Sequence, residues 1–255
     1  MVYRKKTSVK GYRKRTPIFK KMNTSKLVAN KRRSNLVKLI KDINISESEM
    51  KYKSATIETG VMNHNQVLEL HCWGPSGSYT FNTLPAQGIS DSARVGDRIY
   101  LKGIMIRAQV QISWDRKGTR LAVYFVPHNS EQGSPTSNLF HDISGMTLLD
   151  PIQKKRYPKA KLLGIYKSEA NDQHTGSYGG TIGEPTVGGQ KYIYFKKFIP
   201  INKKVWFNAD ASVQPTNLEE YGTICLCPFD KTLSFSSDNV IMGGTVCATA
   251  YYKDI

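Results

Sequence analysis

The fold is decided by one stretch of the sequence, DRIYLKGIMIRAQVQISW at residues 97–114. Apolar residues occupy every even-numbered position over 104–114, and the odd-numbered positions between them are mostly polar. This period of two is typical of a β-strand with one buried face, because successive side chains of a strand point to opposite faces. Ile99 and Leu101 have the opposite phase, so the sequence predicts a β-bulge near Gly103.

The chain turns after this strand and returns in a second apolar run. Asp115–Gly118 has the polar and glycine composition of a turn. Leu121–Val126 is continuously apolar and ends before Pro127. Two strands joined by a short turn predict a long antiparallel hairpin.

The rest of the body contains six further strand-like runs, separated by glycine, proline and asparagine. They are Gln66–Trp73, Lys161–Tyr166, Lys191–Ile199, Lys204–Asn208, Tyr221–Cys227 and Thr245–Lys253. With the hairpin they make eight strands, and several of the connections are long. Long connections favour a two-sheet jelly roll over an up-and-down barrel. We therefore predict that residues 56–255 are all-β and form a single eight-stranded antiparallel jelly roll of two packed sheets.

The N-terminal segment differs from this body in charge. The whole chain has 37 basic and 20 acidic residues. Residues 1–41 contain fifteen of the basic residues and none of the acidic ones, which leaves 22 basic and 20 acidic residues for the rest of the chain. A like-charged segment repels itself and buries too little apolar surface to offset the entropy of ordering. We expect residues 1–41 to be a disordered basic arm until a polyanion binds.

This arm is predicted to bind nucleic acid, because cations neutralise phosphates and interleaved aromatic rings stack on bases. The interleaved rings are Tyr3, Tyr12 and Phe19. The candidate nucleic-acid-binding residues are Arg4, Lys5, Lys6, Lys10, Tyr12, Arg13, Lys14, Arg15, Lys20, Lys21, Lys31, Arg32 and Arg33. The triplets Arg13-Lys14-Arg15 and Lys31-Arg32-Arg33 also fit a nuclear-import signal, and the two roles are compatible.

A short helix and linker, residues 42–55, are expected between the arm and the body. Apolar residues at positions 36, 37, 40 and 43 have helical spacing, and Ser34 is a suitable N-cap. This helix is expected either to pack under its own domain or to clamp a neighbouring subunit.

The sequence contains no complete catalytic or cofactor motif, so we expect a protein that is not an enzyme and holds no cofactor or metal. Ser76 lacks the last glycine of a nucleophile elbow. The loop Gly183–Lys191 has phosphate-loop glycine spacing, but Gly189 stands where the lysine is needed. The five histidines have no metal-binding spacing.

Compartment and membrane association are also indicated by the sequence. No apolar run approaches the roughly 20 residues that cross a bilayer, so no membrane partner is expected. A cytosolic or nuclear setting makes disulfides improbable. The four cysteines, Cys72, Cys225, Cys227 and Cys247, are therefore expected to be buried free thiols.

Three segments, taken in order, resemble the capsid proteins of eukaryotic viruses with small circular single-stranded DNA genomes, and among them the geminivirus-like coat proteins. They are Arg94–Ile104, Tyr192–Ile201 and Ala248–Asp254. The resemblance implies a single jelly roll that assembles into an icosahedral shell with its arms inside on the genome. The Cys/His element proposed to bind metal in geminivirus coat proteins is not evident, so no metal is carried over.

The expected function is thus a viral capsid protein that packages single-stranded DNA without sequence readout. The expected shell has about 60 copies or is a multiple-shell variant. With about 60 copies, the fifteen arm charges of each copy give roughly 900 positive charges in total, which is the order of the number of phosphates in a small genome. The expected partners are the genome, further copies of the chain and the host nuclear import machinery, and the expected locations are the virion and the host nucleus. The alternatives are the coat protein of a small RNA or satellite virus and a monomeric nucleic-acid-binding or transport protein.

Overall fold

The computed structural model describes residues 19–74, 79–112, 119–141, 151–167, 191–208, 214–230 and 240–255. The chain divides into two compact units, Met1–Glu47 and Ser48–Ile255. The first contains the helix α1 (Phe19–Glu47), and the second contains the strands. None of the helices in the described ranges is long and apolar enough to cross a membrane.

Within the described ranges, eight strands form two four-stranded antiparallel sheets. They are β1 (Lys51–Asn63), β2 (Leu68–Trp73), β3 (Arg98–Ile112), β4 (Thr119–His128), β5 (Lys161–Lys167), β6 (Lys191–Trp206), β7 (Tyr221–Asp230) and β8 (Val240–Asp254). Sheet A has the order β1-β8-β3-β6, and sheet B has the order β2-β7-β4-β5. The first strand therefore pairs with the eighth, the second with the seventh, the third with the sixth and the fourth with the fifth. This is the winding of a jelly roll, and it confirms the predicted fold class.

The core lies between the two sheets. The inward side chains of β3 are buried, and those of Ile104, Ile106 and Val110 have no exposed surface. They belong to one apolar cluster with Leu121 on β4 and Ile224 on β7, which come from the other sheet. The alternation of apolar and polar residues over 104–112 is thus explained by a strand with one face in the core.

The predicted bulge near Gly103 is confirmed. The pairing of β3 with both neighbouring strands shifts register between Leu101 and Gly103. On β6 the shift falls beside Asn202, whose φ of 48° is left-handed. A Cβ at Gly103 would lie 2.4 Å from the backbone oxygen of Ile199 and 2.6 Å from Cζ of Phe198, so only glycine fits here.

The predicted hairpin of β3 and β4 is wrong. β3 pairs with β6 and β8, whereas β4 pairs with β5 and β7, so the two strands lie in different sheets. The reason is burial on both faces of β4, where every residue from Leu121 to Val126 is buried. A central position in sheet B supplies that burial, and the predicted turn lies outside the described residues.

The predicted number of strands is right, but two of the assignments differ. The two runs on either side of Pro200 are one strand, β6, bent at the bulge. β1 was not recognised as a separate strand, and it begins at Lys51 rather than after residue 55. Its alternation is hidden because Lys51 and Lys53 occupy half-buried positions, where their ammonium groups donate hydrogen bonds to the carbonyls of Ala93 and Leu84.

A second apolar cluster covers the face of sheet B that points away from the main core. The insertion after β4 carries a short helix, α2 (Pro135–Asn138), and contributes Phe140 and Tyr157. These side chains pack on strand residues that include Cys225 and Cys227. All four cysteines are free thiols; Cys72, Cys225 and Cys227 are buried, and Cys247 is only partly buried, so the expectation of burial holds for three of them.

A buried arginine fixes the loop ahead of β3. Arg94 has no exposed surface, and its Nη1 donates hydrogen bonds to the oxygen of Gly96 at 2.5 Å and to Oδ1 of Asp97 at 3.3 Å. Its guanidinium lies 4.4 Å from the centre of the Phe207 ring. A buried cation is tolerated here because both the hydrogen bonds and the ring face compensate its desolvation.

The helix α1 is longer than predicted. It begins at Phe19 rather than near Ser34, and no glycine or proline interrupts it before Glu47. The part of the arm from residue 19 to 41 is therefore helical, and residues 1–18 lie outside the described residues. Ordering of the arm by a polyanion stays a prediction.

Candidate nucleic-acid interface

The cations of the arm are presented on an exposed helix. Every side chain from Val28 to Ile40 is exposed, including those of Lys31, Arg32 and Arg33. The first turn of α1 has no acidic residue and the last turn has no basic one, so neither end of the helix has the charges that its dipole favours. These charges therefore do not stabilise the helix through its dipole, and those over residues 28–40 are open to solvent.

The predicted arm residues are only partly placed by the structure. Lys20, Lys21, Lys31, Arg32 and Arg33 lie on α1. The remaining candidates, which are outside the described residues, are Arg4, Lys5, Lys6, Lys10, Tyr12, Arg13, Lys14 and Arg15. Of the two triplets proposed for nuclear import, only Lys31-Arg32-Arg33 has a described position, and all three of its side chains are exposed.

A second concentration of cations and rings lies on the outward face of sheet A, which we call the outer face. Alternating positions of its four strands point away from the core. The outward cations are Arg98, Lys102, Arg107, Lys196, Lys204 and Lys253. The outward rings are Tyr52, Tyr100, Tyr192, Tyr194, Phe198, Trp206 and Tyr251. Glu58 is the one carboxylate among the described residues of this face.

The strand register brings these side chains together in rows. Arg107 on β3 lies opposite Lys196 on β6 and Cys247 on β8. The next row joins Gln109 to Tyr194 and Thr245. A shallow groove of about 510 Å³ lies over these two rows and is lined by all six side chains.

A row of aromatic rings crosses the same face. The ring centres of Tyr52 and Tyr251 are 6.4 Å apart, and those of Tyr251 and Phe198 are 6.3 Å apart. The last two residues belong to β8 and β6, and Gly103 lies between them on β3. Because Gly103 has no side chain, the two rings meet across the strand that separates them.

Sequence reasoning identified only part of this face. The β6 segment Tyr192–Ile201 was singled out by its resemblance, but Arg107 and Tyr251 were not assigned a role. The signal was available in the polar, outward phase of the opening stretch, since Arg107 occupies one of its odd-numbered positions. What was missing was the register, because the partners of β3 are distant in the sequence.

A further basic triplet, Lys154-Lys155-Arg156, lies in the insertion after β4 and is in part structural. The Lys154 ammonium donates to the carbonyl of Ala160, and Arg156 Nη1 donates to Oδ1 of Asn138 at 2.7 Å. These bonds hold the insertion that covers sheet B. Two of its three charges are therefore engaged within the chain.

A separate polar cavity of about 270 Å³ lies at one end of sheet B. The hydroxyl of Thr223 lies 2.8 Å from Nδ1 of His71 and 3.4 Å from Nδ1 of His128. The His128 ring is stacked on the Tyr221 ring at 4.8 Å. Burial lowers the pKa of both histidines, and Glu69 opposes this by raising them. Both rings are therefore neutral at pH 7 and serve here as packed, hydrogen-bonded side chains.

Among the residues that the structure describes, no three His, Cys, Asp or Glu side chains are grouped so that they could hold a metal ion. The cavity beside His71 therefore offers hydrogen-bonding groups but no ligand set. The basic surfaces described above are the stronger candidates for a functional site.

Comparison with known proteins gives matches among solved structures only. No family model matches the sequence, and no curated protein matches it. Among solved structures, the chain is similar to the subviral particle of infectious bursal disease virus VP2, with 9% sequence identity and a TM-score of 0.28. The matched region covers 82% of this chain and 38% of that chain, so this protein spans well under half the length of its structural neighbour.

Proposed function

We propose that this chain is a viral capsid protein that self-assembles into an icosahedral shell and packages single-stranded DNA through its basic N-terminal segment. The observation that carries the proposal is the segregation of charge between the two units. An exposed helix with no acidic residue before Asp42 precedes a jelly roll that is close to neutral. A fold that tiles a surface and a separate polycation together suit a shell that encloses a polyanion.

The arm binds phosphates rather than bases in this proposal. Exposed Lys and Arg release counterions from the nucleic acid, and this interaction does not depend on sequence. The jelly roll supplies the contacts between copies. No chemical step is assigned to the protein, which acts as a structural component of the virion.

Nuclear import is a second role proposed for the same cations. Lys31-Arg32-Arg33 is exposed on α1, so an import receptor could reach it before assembly. Once the arm is on the genome, the same side chains are covered. Import and packaging would then follow one another, with the host nucleus as the place of assembly.

The test is a charge-neutralised variant of the full chain. Lys31→Gln, Arg32→Gln and Arg33→Gln together should lower the salt slope of single-strand binding by about 2, because each neutralised phosphate contributes about 0.7. The matched control replaces three exposed lysines of the body, Lys155, Lys161 and Lys167, by Gln. Equal slopes for the two variants would remove the role given to the arm.

Microscopy and nuclease treatment test the rest of the proposal. Uniform shells are expected by negative-stain electron microscopy, and their contents should be degraded by deoxyribonuclease after the shell is opened. Contents sensitive to ribonuclease only would indicate the coat of an RNA virus. Protein that stays monomeric with nucleic acid present would indicate a transport or binding protein instead.

A further inference from the structure

We propose that the outer face of sheet A is a second binding site for single-stranded nucleic acid, with bases stacked on Tyr194 and Phe198 and phosphates on Arg107 and Lys196. The inference rests on the proposed function for the identity of the polyanion. It differs from binding by the N-terminal arm in two ways: the site lies on the jelly roll, and binding uses stacking as well as charge.

The first observation is a pair of cations without an internal counter-charge. Arg107 and Lys196 lie directly opposite each other on β3 and β6, and both are exposed. Neither has an acidic partner among the described residues, and Glu58 lies farther across the sheet, on β1. Like charges that face each other across strands destabilise a sheet. An anion bound between them removes that repulsion.

The second observation is the position of the rings beside this pair. Tyr194 and Phe198 flank Lys196 on the same face of β6, each two residues away. Two residues of a strand span roughly 7 Å, so ring, cation and ring follow one another at that spacing. Tyr194 is 65% exposed and Phe198 is 37% exposed, which leaves ring surface free for a stacked base. Alternating rings and cations are the elements of a sequence-tolerant single-strand site.

The third observation selects nucleic acid over a second copy of the chain. A copy that used the same face would bring six outward cations against six others, with Glu58 as the only described carboxylate on each face. Lysine is also depleted in the cores of protein interfaces. A ligand that is both anionic and aromatic complements this face, and single-stranded nucleic acid has both properties.

Stacking is tested first, in the full chain. Tyr194→Ala and Phe198→Ala should each weaken binding of a fluorescent oligo(dT) by about fivefold to a hundredfold, the loss expected for one stacked base. The salt slope should not change, because no charge is removed. Tyr79→Ala is the matched control, since Tyr79 is also 37% exposed but lies outside sheet A. Affinities equal to that of the control would overturn the proposal.

The cation pair is tested by its salt dependence. Arg107→Gln combined with Lys196→Gln should lower the salt slope by about 1.4, because two phosphate contacts are lost. The control is Lys161→Gln with Lys167→Gln, which removes the same charge from the exposed positions of β5. An unchanged slope in the first variant would contradict the proposal.

Ultraviolet crosslinking locates the contact. Crosslinked peptides should include residues 191–206 in the unmodified chain, and crosslinks confined to residues 1–47 would overturn the inference. The inference would also be overturned if the variants of Tyr194, Phe198, Arg107 and Lys196 lost assembly but kept their oligo(dT) affinity. The outer face would then be a contact between copies. The variant of Lys31, Arg32 and Arg33 is measured in parallel. If only that variant weakens binding, the proposed function stands and the second site falls; if neither weakens it, both fall.

Discussion

Replacing Gly103 by alanine should destabilise the jelly roll at a crowded backbone position. The new Cβ would lie 2.4 Å from the backbone oxygen of Ile199 and 2.6 Å from Cζ of Phe198, and both distances are well inside van der Waals contact. The phenyl ring can rotate away, but the oxygen belongs to the paired strand and moves only if the ladder is disturbed. Overpacking of this kind costs about 1 to 3 kcal/mol.

Thermal and urea unfolding, followed by tryptophan fluorescence, measure this cost. For a domain of this size about 1 to 3 kcal/mol lowers the Tm by about 2 to 12 °C. Gly96→Ala is the control, because a Cβ at Gly96 would meet nothing within 4 Å. Both substitutions restrict the unfolded chain equally. The difference between their free energies of unfolding therefore reports the contact made in the folded state.

The double variant of Gly103→Ala with Phe198→Ala identifies the obstacle. If the backbone oxygen of Ile199 sets the cost, removal of the ring restores little stability. If the ring sets it, the two substitutions show a coupling free energy close to the whole effect. Equal midpoints for Gly103→Ala and Gly96→Ala would refute the reasoning, because they would mean that β6 accommodates the methyl group freely.

Three further predictions concern buried polar groups. Burial raises the pKa of the three buried thiols, so iodoacetamide should modify Cys247 first in the folded protein; equal rates by mass spectrometry would contradict this. Burial lowers the pKa of His71 and His128 below 6.5, so the free energy of unfolding should be highest above that pH and fall as the pH drops towards the folded pKa values. A urea series from about pH 7.5 to 5 tests this, and the slope should flatten when both histidines are replaced by Gln. Arg94→Leu should cost about 1.5 to 3 kcal/mol by loss of its charged hydrogen bonds. Arg98→Leu, which loses only an exposed contact with the Trp206 ring, should cost about 1 kcal/mol or less.

Local sequence features predicted the strands that have one apolar face. β3 and its bulge were predictable because phase and glycine are both visible in the sequence. β1 was not, since Lys51 and Lys53 use their ammonium groups to satisfy loop carbonyls at positions where apolar residues were expected. β6 was divided in two because Pro200 normally ends a strand, whereas here a bulge accommodates it.

Pairing between strands could not be predicted from the sequence. The turn after β3 suggested a hairpin, but the fold pairs strands that are far apart in the chain. The same limit applies to the candidate site. The arm was found by counting charge, whereas the outer face depends on Arg107 meeting Lys196, which only the register of β3 and β6 reveals.

The central place of β8 in sheet A determines the order in which the protein can be completed. β8 follows the other described strands in the sequence, yet it lies between β1 and β3. During synthesis β1 therefore cannot pair until residues 240–254 have been made. Folds rich in such distant pairings form slowly. The cationic helix, in contrast, leaves the ribosome early and needs only local hydrogen bonds. A nascent chain consequently exposes its polyanion-binding segment well before its jelly roll closes.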